Sequence, residues 1–114
     1  MFEILPMLSV KNRLVKKKDF DIIFAKGKTV KNGFLIFKIL KSHFKNSRFG
    51  FVVSKKVSPR AVVRNRVKRE LRAVVSDIIK DIKNPIDVII VALPTSKEKS
   101  FLEFKEIITK CLHF

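Results

Sequence analysis

The segment Arg60–Lys83 limits the possible folds more than any other part of the chain. Val63, Val67, Leu71, Val74, Ile78 and Ile82 recur every three or four residues. At 100° per residue they form one apolar stripe on a long helix, covering roughly a quarter of its circumference. Such a helix needs an apolar surface to lie on. The strand-like runs "GFLIFKIL" and "SRFGFVVS" precede it, and "IDVIIVAL" follows it. A helix placed between two strands allows a βαβ crossover, and therefore a parallel pair.

The remaining segments fit around this unit. A short helix is expected near Lys17–Lys26, with Phe20, Ile23 and Phe24 at helical spacing and Gly27 as its stop. Asn32-Gly33 is a turn signal between a short strand and a longer one. Phe49, Phe51 and Val53 share one face of the next strand. Two of the strand runs are apolar on both faces. Such a sheet is either covered on both sides or uses one greasy face for binding. Asn84-Pro85 ends the long helix and Pro94 stops the last strand. Ser100 with Glu103 makes a capping box for a final helix, whose inner face carries Phe101, Phe104, Ile108 and Cys111. The expected order is α-β-β-β-α-β-α. The expected fold class is α+β, a small α/β sandwich in a single domain of 114 residues. Residues 1–15 read as a basic N-terminal tail with room to move. The basic stretch there and just beyond it carries Lys11, Arg13, Lys16, Lys17 and Lys18.

Lys and Arg number 26 against 10 Asp and Glu, a formal charge of +16. Self-repulsion on that scale destabilises a compact chain, and its usual partners are nucleic acid or anionic membrane. No apolar run reaches the roughly 18 residues of a spanning helix. All 11 aromatics are Phe, so a Trp or Tyr interfacial belt is missing and the membrane reading weakens. At the N-terminus the cations follow the apolar part, the wrong order for a secretory signal. Cys111 is the only cysteine, which precludes an internal disulfide and fits a reducing cytoplasm.

The stretch "RNRVKRELR", residues 64–72, sets Arg64, Arg66, Lys68, Arg69 and Arg72 against one carboxylate, Glu70. Asn65, Lys68, Arg69 and Arg72 fall opposite the apolar stripe, and Arg64 and Arg66 flank it. Cations are disfavoured in the first half of a helix, where the macrodipole is already positive. Arg64 with Lys68, and Lys68 with Arg72, add like-charge repulsion at i,i+4. A polyanion would relieve that conflict. Arginine's planar fork suits phosphate, and Asn65 can read a base edge or a 2′-hydroxyl.

Little points to a protein active site. His43 and His113 lack partners at metal-ligand spacing. Cys111 lies on an apolar stripe, and the Asp19/Asp21 and Asp77/Asp81 pairs read as helix-start or surface charges. Gly27, Gly33 and Gly50 are too scattered for a phosphate loop. Composition alone thus leaves an RNA-binding protein or a DNA-binding module. The latter is disfavoured, because no second helix stands at turn spacing from the basic one.

"RNRVKRELR" following "FGFVVSKKVSPRAVV" resembles the signature of the bacterial ribonuclease P protein subunit. "NRLVKKKDFDIIFAKGKTV", residues 12–30, is similar to that family's N-terminal segment, and "IDVIIVALP" to its last strand. The resemblance implies a sandwich with a left-handed βαβ crossover. It also implies a protein that joins a catalytic RNA and helps remove the 5′ leader of precursor tRNA. The RNA would carry the active site and its Mg²⁺. This chain would supply no catalytic residue, bind no cofactor alone and need no obligatory protein partner. By the family motif, Arg64, Asn65, Arg66, Lys68, Arg69 and Arg72 would contact the catalytic RNA. A cleft holding Phe20, Phe24, Phe37, Lys55 and Lys56 would bind the leader. Phe37 stands where some members have Tyr, and Ser58-Pro59-Arg60 replaces a shorter Gly-containing link. Neither Arg64 nor Arg66 belongs to the core stripe, so neither is expected to affect stability.

Overall fold

The structure, a computed structural model, describes residues 8–112. Its elements keep the expected order: α1 (Lys17–Lys26), β1 (Lys28–Asn32), β2 (Leu35–Lys41), β3 (Arg48–Val52), α2 (Ala61–Ile78), β4 (Ile86–Ala92) and α3 (Phe101–Cys111). Short 3₁₀ turns lie at Val10–Asn12, Ile79–Asp81 and Pro94–Glu98. The strands form one mixed sheet in the order β1-β2-β4-β3. β2 is antiparallel to β1 and to β4, whereas β3 runs parallel to β4. The unit β3-α2-β4 is thus the βαβ crossover. The β1–β2 hairpin turns on Gly33-Phe34, one residue later than the sequence signal. Gly33 has φ +60°, as the first loop residue of a II′ hairpin requires.

One face of the sheet carries the main core. Phe37, Phe49, Val88 and Ile90 pack there with Val67, Leu71 and Val74 of α2 and Phe104 and Ile108 of α3. Each such side chain gains roughly 1.5–3 kcal/mol on leaving water. The α2 stripe is buried at Val67, Leu71, Val74 and Ile78, joined by Val75, while Val63 and Ile82 are only half-buried. The helix ends at Ile78, short of the expected Lys83. Its last turn tightens into the 3₁₀ turn, and Asn84 is disfavoured from helix by the following Pro85. At α3 both halves of the Ser100–Glu103 capping box are made.

The opposite face is thinner. Ile23 of α1 packs there with Leu14 and Ile89, and Phe20, Leu40, Val52 and Val91 remain partly open. One polar cluster ties α1 to the sheet. Arg48 donates to both oxygens of Asp87 at 3.0 and 2.8 Å, and to Asp19 of α1 at 3.2 Å. Hydrogen bonding to Asp87, ahead of the opposing effect of burial, raises the Arg48 pKa above its ordinary value.

From Leu8 onward, the segment expected to be a mobile tail packs along the outer edge of β3. The first seven residues of that tail lie outside the described part. Leu8 and Leu14 are buried, and the Leu14 N–H donates to the Phe49 carbonyl at 2.9 Å. Asn12 Nδ2 donates to the Ser47 carbonyl at 2.7 Å, and Arg13 Nε to that of Leu8 at 2.9 Å. Two buried leucines and these hydrogen bonds offset the chain entropy of an ordered segment. They also cover an edge strand that would otherwise offer unpaired backbone groups.

Candidate nucleic-acid interface

The first turn of α2 holds no acidic residue, and its N-cap, Arg60, makes no capping bond through its side chain. Its amide end therefore adds to the positive potential of the arginines. Asn65 and Arg69 are exposed, whereas Arg64, Arg66, Lys68 and Arg72 are half-buried. Two of the arginines also serve the fold. Arg64 Nη1 donates to the Ser58 carbonyl at 3.0 Å, bracing the approach to the helix. Arg66 pairs with Glu70 at 3.0 Å and donates to the Lys97 carbonyl, tying α2 to the Pro94–Glu98 turn. These bonds run against the expectation that both are dispensable for stability. Two of them, to Ser58 and Lys97, reach backbone carbonyls outside the helix, which helical periodicity does not register.

Lys68 and Arg72 help wall a groove of about 280 Å³ between α2, β3, α1 and the N-terminal segment. Arg13, Phe20, Gly50 and Phe51 complete its working surface. Phe20 reaches over the sheet because position 50 has no side chain. A Cβ there would lie 2.5 Å from Phe20 Cζ. The groove thus joins one aromatic residue of α1 to two cations of α2 and a third from Arg13. The cleft and the basic helix, separate in the sequence reading, meet here.

The other cleft candidates are placed differently. Phe24 is exposed on α1, and Lys55 and Lys56 are exposed on the turn after β3. None of the three lines this groove. Lys16, Lys17 and Lys18 are exposed at the start of α1, and Lys17 pairs with Asp21 at 3.0 Å. Phe37 cannot line a cleft: it is fully buried in the main core, on the face covered by α2 and α3. Successive strand residues point to opposite faces, so its neighbours Ile36 and Lys38 turn toward the α1 side. Ile36 pairs with Val91 of β4, which pairs in turn with Val52 of β3. Ile36, Lys38, Val52 and Val91 are surface positions that sequence reasoning missed. The strand register reveals them, but β2 is apolar on both faces and its pattern does not. Among the described residues, no three His, Cys, Asp or Glu side chains gather as a metal would require. No helix among them is long and apolar enough to cross a membrane.

These features define a small basic α+β domain with an aromatic groove beside an arginine-rich helix, a surface suited to RNA. The ribonuclease P family model matches residues 8–113. The ribonuclease P protein component of Syntrophomonas wolfei is 38% identical over 95 residues, spanning 83% of this chain and 79% of the relative. That of Synechocystis is 41% identical over 83 residues, spanning 72% and 67%. The Thermotoga maritima RNase P protein structure superposes with a TM-score of 0.79 at 27% identity, covering 88% of this chain and 94% of the other. A Staphylococcus aureus RNase P protein structure gives 0.77 at 28% identity, covering 89% and 92%. The chain belongs to the ribonuclease P protein family. It is a subunit of an endoribonuclease that binds RNA and assists removal of the 5′ leader from precursor tRNA.

Proposed function

We propose that the groove of Arg13, Phe20, Lys68 and Arg72 is where the leader strand passes beside the surface that grips the catalytic RNA. What carries this reading is the shared wall: Phe20 of α1 and Lys68 and Arg72 of α2 line one groove. A single strand can lay a base against the aromatic ring while its phosphates meet the cations, largely without regard to sequence. The outward Arg69 and Asn65, flanked by Arg64 and Arg66, then face the catalytic RNA. Phe24, Lys55 and Lys56 extend the leader path at its margins. Among the described residues, no three His, Cys, Asp or Glu side chains gather as a metal site would require. In this reading Mg²⁺ enters with the RNA, which supplies the hydrolytic chemistry. The protein's part is to position two RNAs and reduce the repulsion between them. The cytoplasm, where precursor tRNA is processed, is the compartment this role implies, and a lone thiol suits it.

The test is reconstitution with the catalytic RNA of the source organism and a precursor tRNA at low millimolar Mg²⁺. The protein should stimulate 5′ cleavage. Lys68→Ala with Arg72→Ala should weaken both RNA contacts, whereas Phe20→Ala should weaken precursor tRNA binding selectively. Absence of stimulation by the wild type would sink the reading.

A further inference from the structure

Past the C-terminal end of α2, four lysines border one open groove of about 250 Å³. Lys11 comes from the N-terminal segment, Lys45 from the β2–β3 loop, and Lys80 and Lys83 from the chain after α2. Asn12 and Asn46 add polar wall. All four lysines are exposed, and none forms an ion pair among the described residues. Asp81, between Lys80 and Lys83, pairs with neither. The helix dipole accounts for Lys80 and Lys83, because cations are favoured where the carbonyls of α2 end. It does not account for Lys11 and Lys45, which the fold brings to the same place from elsewhere. Converging like charges repel unless an anion lies among them.

Beside Lys45, the β2–β3 loop holds Phe44 in solvent at 59% exposure. The Arg48 guanidinium sits 4.4 Å from the ring centroid and covers one face. That guanidinium is fixed by its bonds to Asp87 and Asp19, so the ring has a rigid backing. Its exposed area is the other face and the edge. A backed aromatic face next to phosphate-binding cations is the arrangement that single-stranded nucleic acid uses.

We propose that Phe44 and the four-lysine groove form a second RNA contact. An unpaired base stacks on the open face of Phe44, and phosphates of the same strand sit among Lys11, Lys45, Lys80 and Lys83. This rests on the reading of the chain as an RNA-binding subunit, but uses none of the residues of the α1–α2 groove.

The experiment measures two affinities across a salt series: protein for the catalytic RNA, and reconstituted holoenzyme for precursor tRNA. The variants are Phe44→Ala, Phe44→Trp, a quadruple Lys→Gln change at positions 11, 45, 80 and 83, and Arg69→Ala as a reporter of the α2 surface. Phe44→Ala should weaken one of the two RNAs by about fivefold or more without changing its salt slope. Phe44→Trp should restore binding. The quadruple variant should lower the slope for the same RNA by roughly 2–3, at about 0.7 per phosphate. The RNA that responds is the one that supplies the strand. Wild-type affinity and slope in both arms, with Arg69→Ala still impaired, overturns the second contact and leaves the main reading standing. If Arg69→Ala is also without effect, the RNA-binding role of α2 fails with it. A loss in Phe44→Ala that Phe44→Trp does not rescue refutes stacking. Because all five side chains are exposed, melting temperatures should hold.

Discussion

Replacing Arg48 with alanine removes the cation from a nearly buried carboxylate, and the cost follows from the contacts. Arg48 makes two charge-assisted bonds to Asp87, whose side chain is 7% exposed, and one to Asp19, at 25%. In Arg48→Ala the Asp87 carboxylate is left uncompensated inside the sheet, at a cost of about 3–5 kcal/mol. The more exposed Asp19 adds less than about 1 kcal/mol. A domain of this size has about 5–15 kcal/mol in total, so roughly a fifth or more of its stability is at stake. With a urea dependence of about 1.5 kcal/mol per molar, the midpoint should fall by roughly 2–3 M. Asp87→Ala should be milder, because the guanidinium keeps Asp19. The double variant should exceed Arg48→Ala in stability by about 1.5 kcal/mol or more, since neither charge is then stranded. The chain has no Trp or Tyr, so far-ultraviolet circular dichroism is the natural probe. A cost below about 1 kcal/mol for Arg48→Ala, or a double variant no better than the single, would refute the assigned role of the pair.

Three further outcomes are expected. Gly50→Ala should fold but displace the Phe20 ring from the groove, weakening precursor tRNA binding several-fold; unchanged binding would show that the ring is not a platform. Arg69→Ala should lower the salt slope of catalytic-RNA binding by about one with an unchanged melting temperature, whereas Arg66→Ala should also lose about 1 kcal/mol of stability with its bonds to Glu70 and Lys97, as urea titration would show. The Glu103 carboxyl is held below its ordinary range, first by the backbone N–H of Ser100 and then by its hydroxyl. Its folded pKa lies under its unfolded one, so its contribution to α3 is present above about pH 4.3 and is lost as pH falls through the folded value. An amide chemical-shift titration of the first turn of α3 should show a midpoint below that of a free glutamate, and the titration should vanish in Glu103→Ala.

Helix α2 was legible because its apolar residues repeat every three to four positions, and Val67, Leu71, Val74 and Ile78 are buried as that period demands. The capping box at Ser100 was legible because both partners lie within one turn. The face of Phe37 was not. Leu35 and Ile39 share its face and Ile36 and Leu40 the other, so Lys38 alone marks which side of β2 points inward. The dual roles of Arg64 and Arg66 depend on carbonyls at Ser58 and Lys97, in segments set by the tertiary fold. The Arg48–Asp87 pair joins residues 39 apart in sequence, and only the pairing of β3 with β4 brings them together. The shared groove was hidden for the same reason, since its walls come from four segments.

The central position of β4 has a consequence for synthesis. Among the strands, β3 pairs only with β4, and β2 meets β3 only through it. While the chain is being made, α1, the β1–β2 hairpin, β3 and α2 all emerge before the strand that joins them. Phe20 and the N-terminal segment then have no finished sheet to rest on, and α2 has no complete surface for its stripe. The groove therefore comes into being only after residues 86–92 insert between two strands made earlier. A nascent or truncated chain carries the positive charge of α2 but lacks that finished groove, so the recognition proposed for the groove belongs to the completed protein.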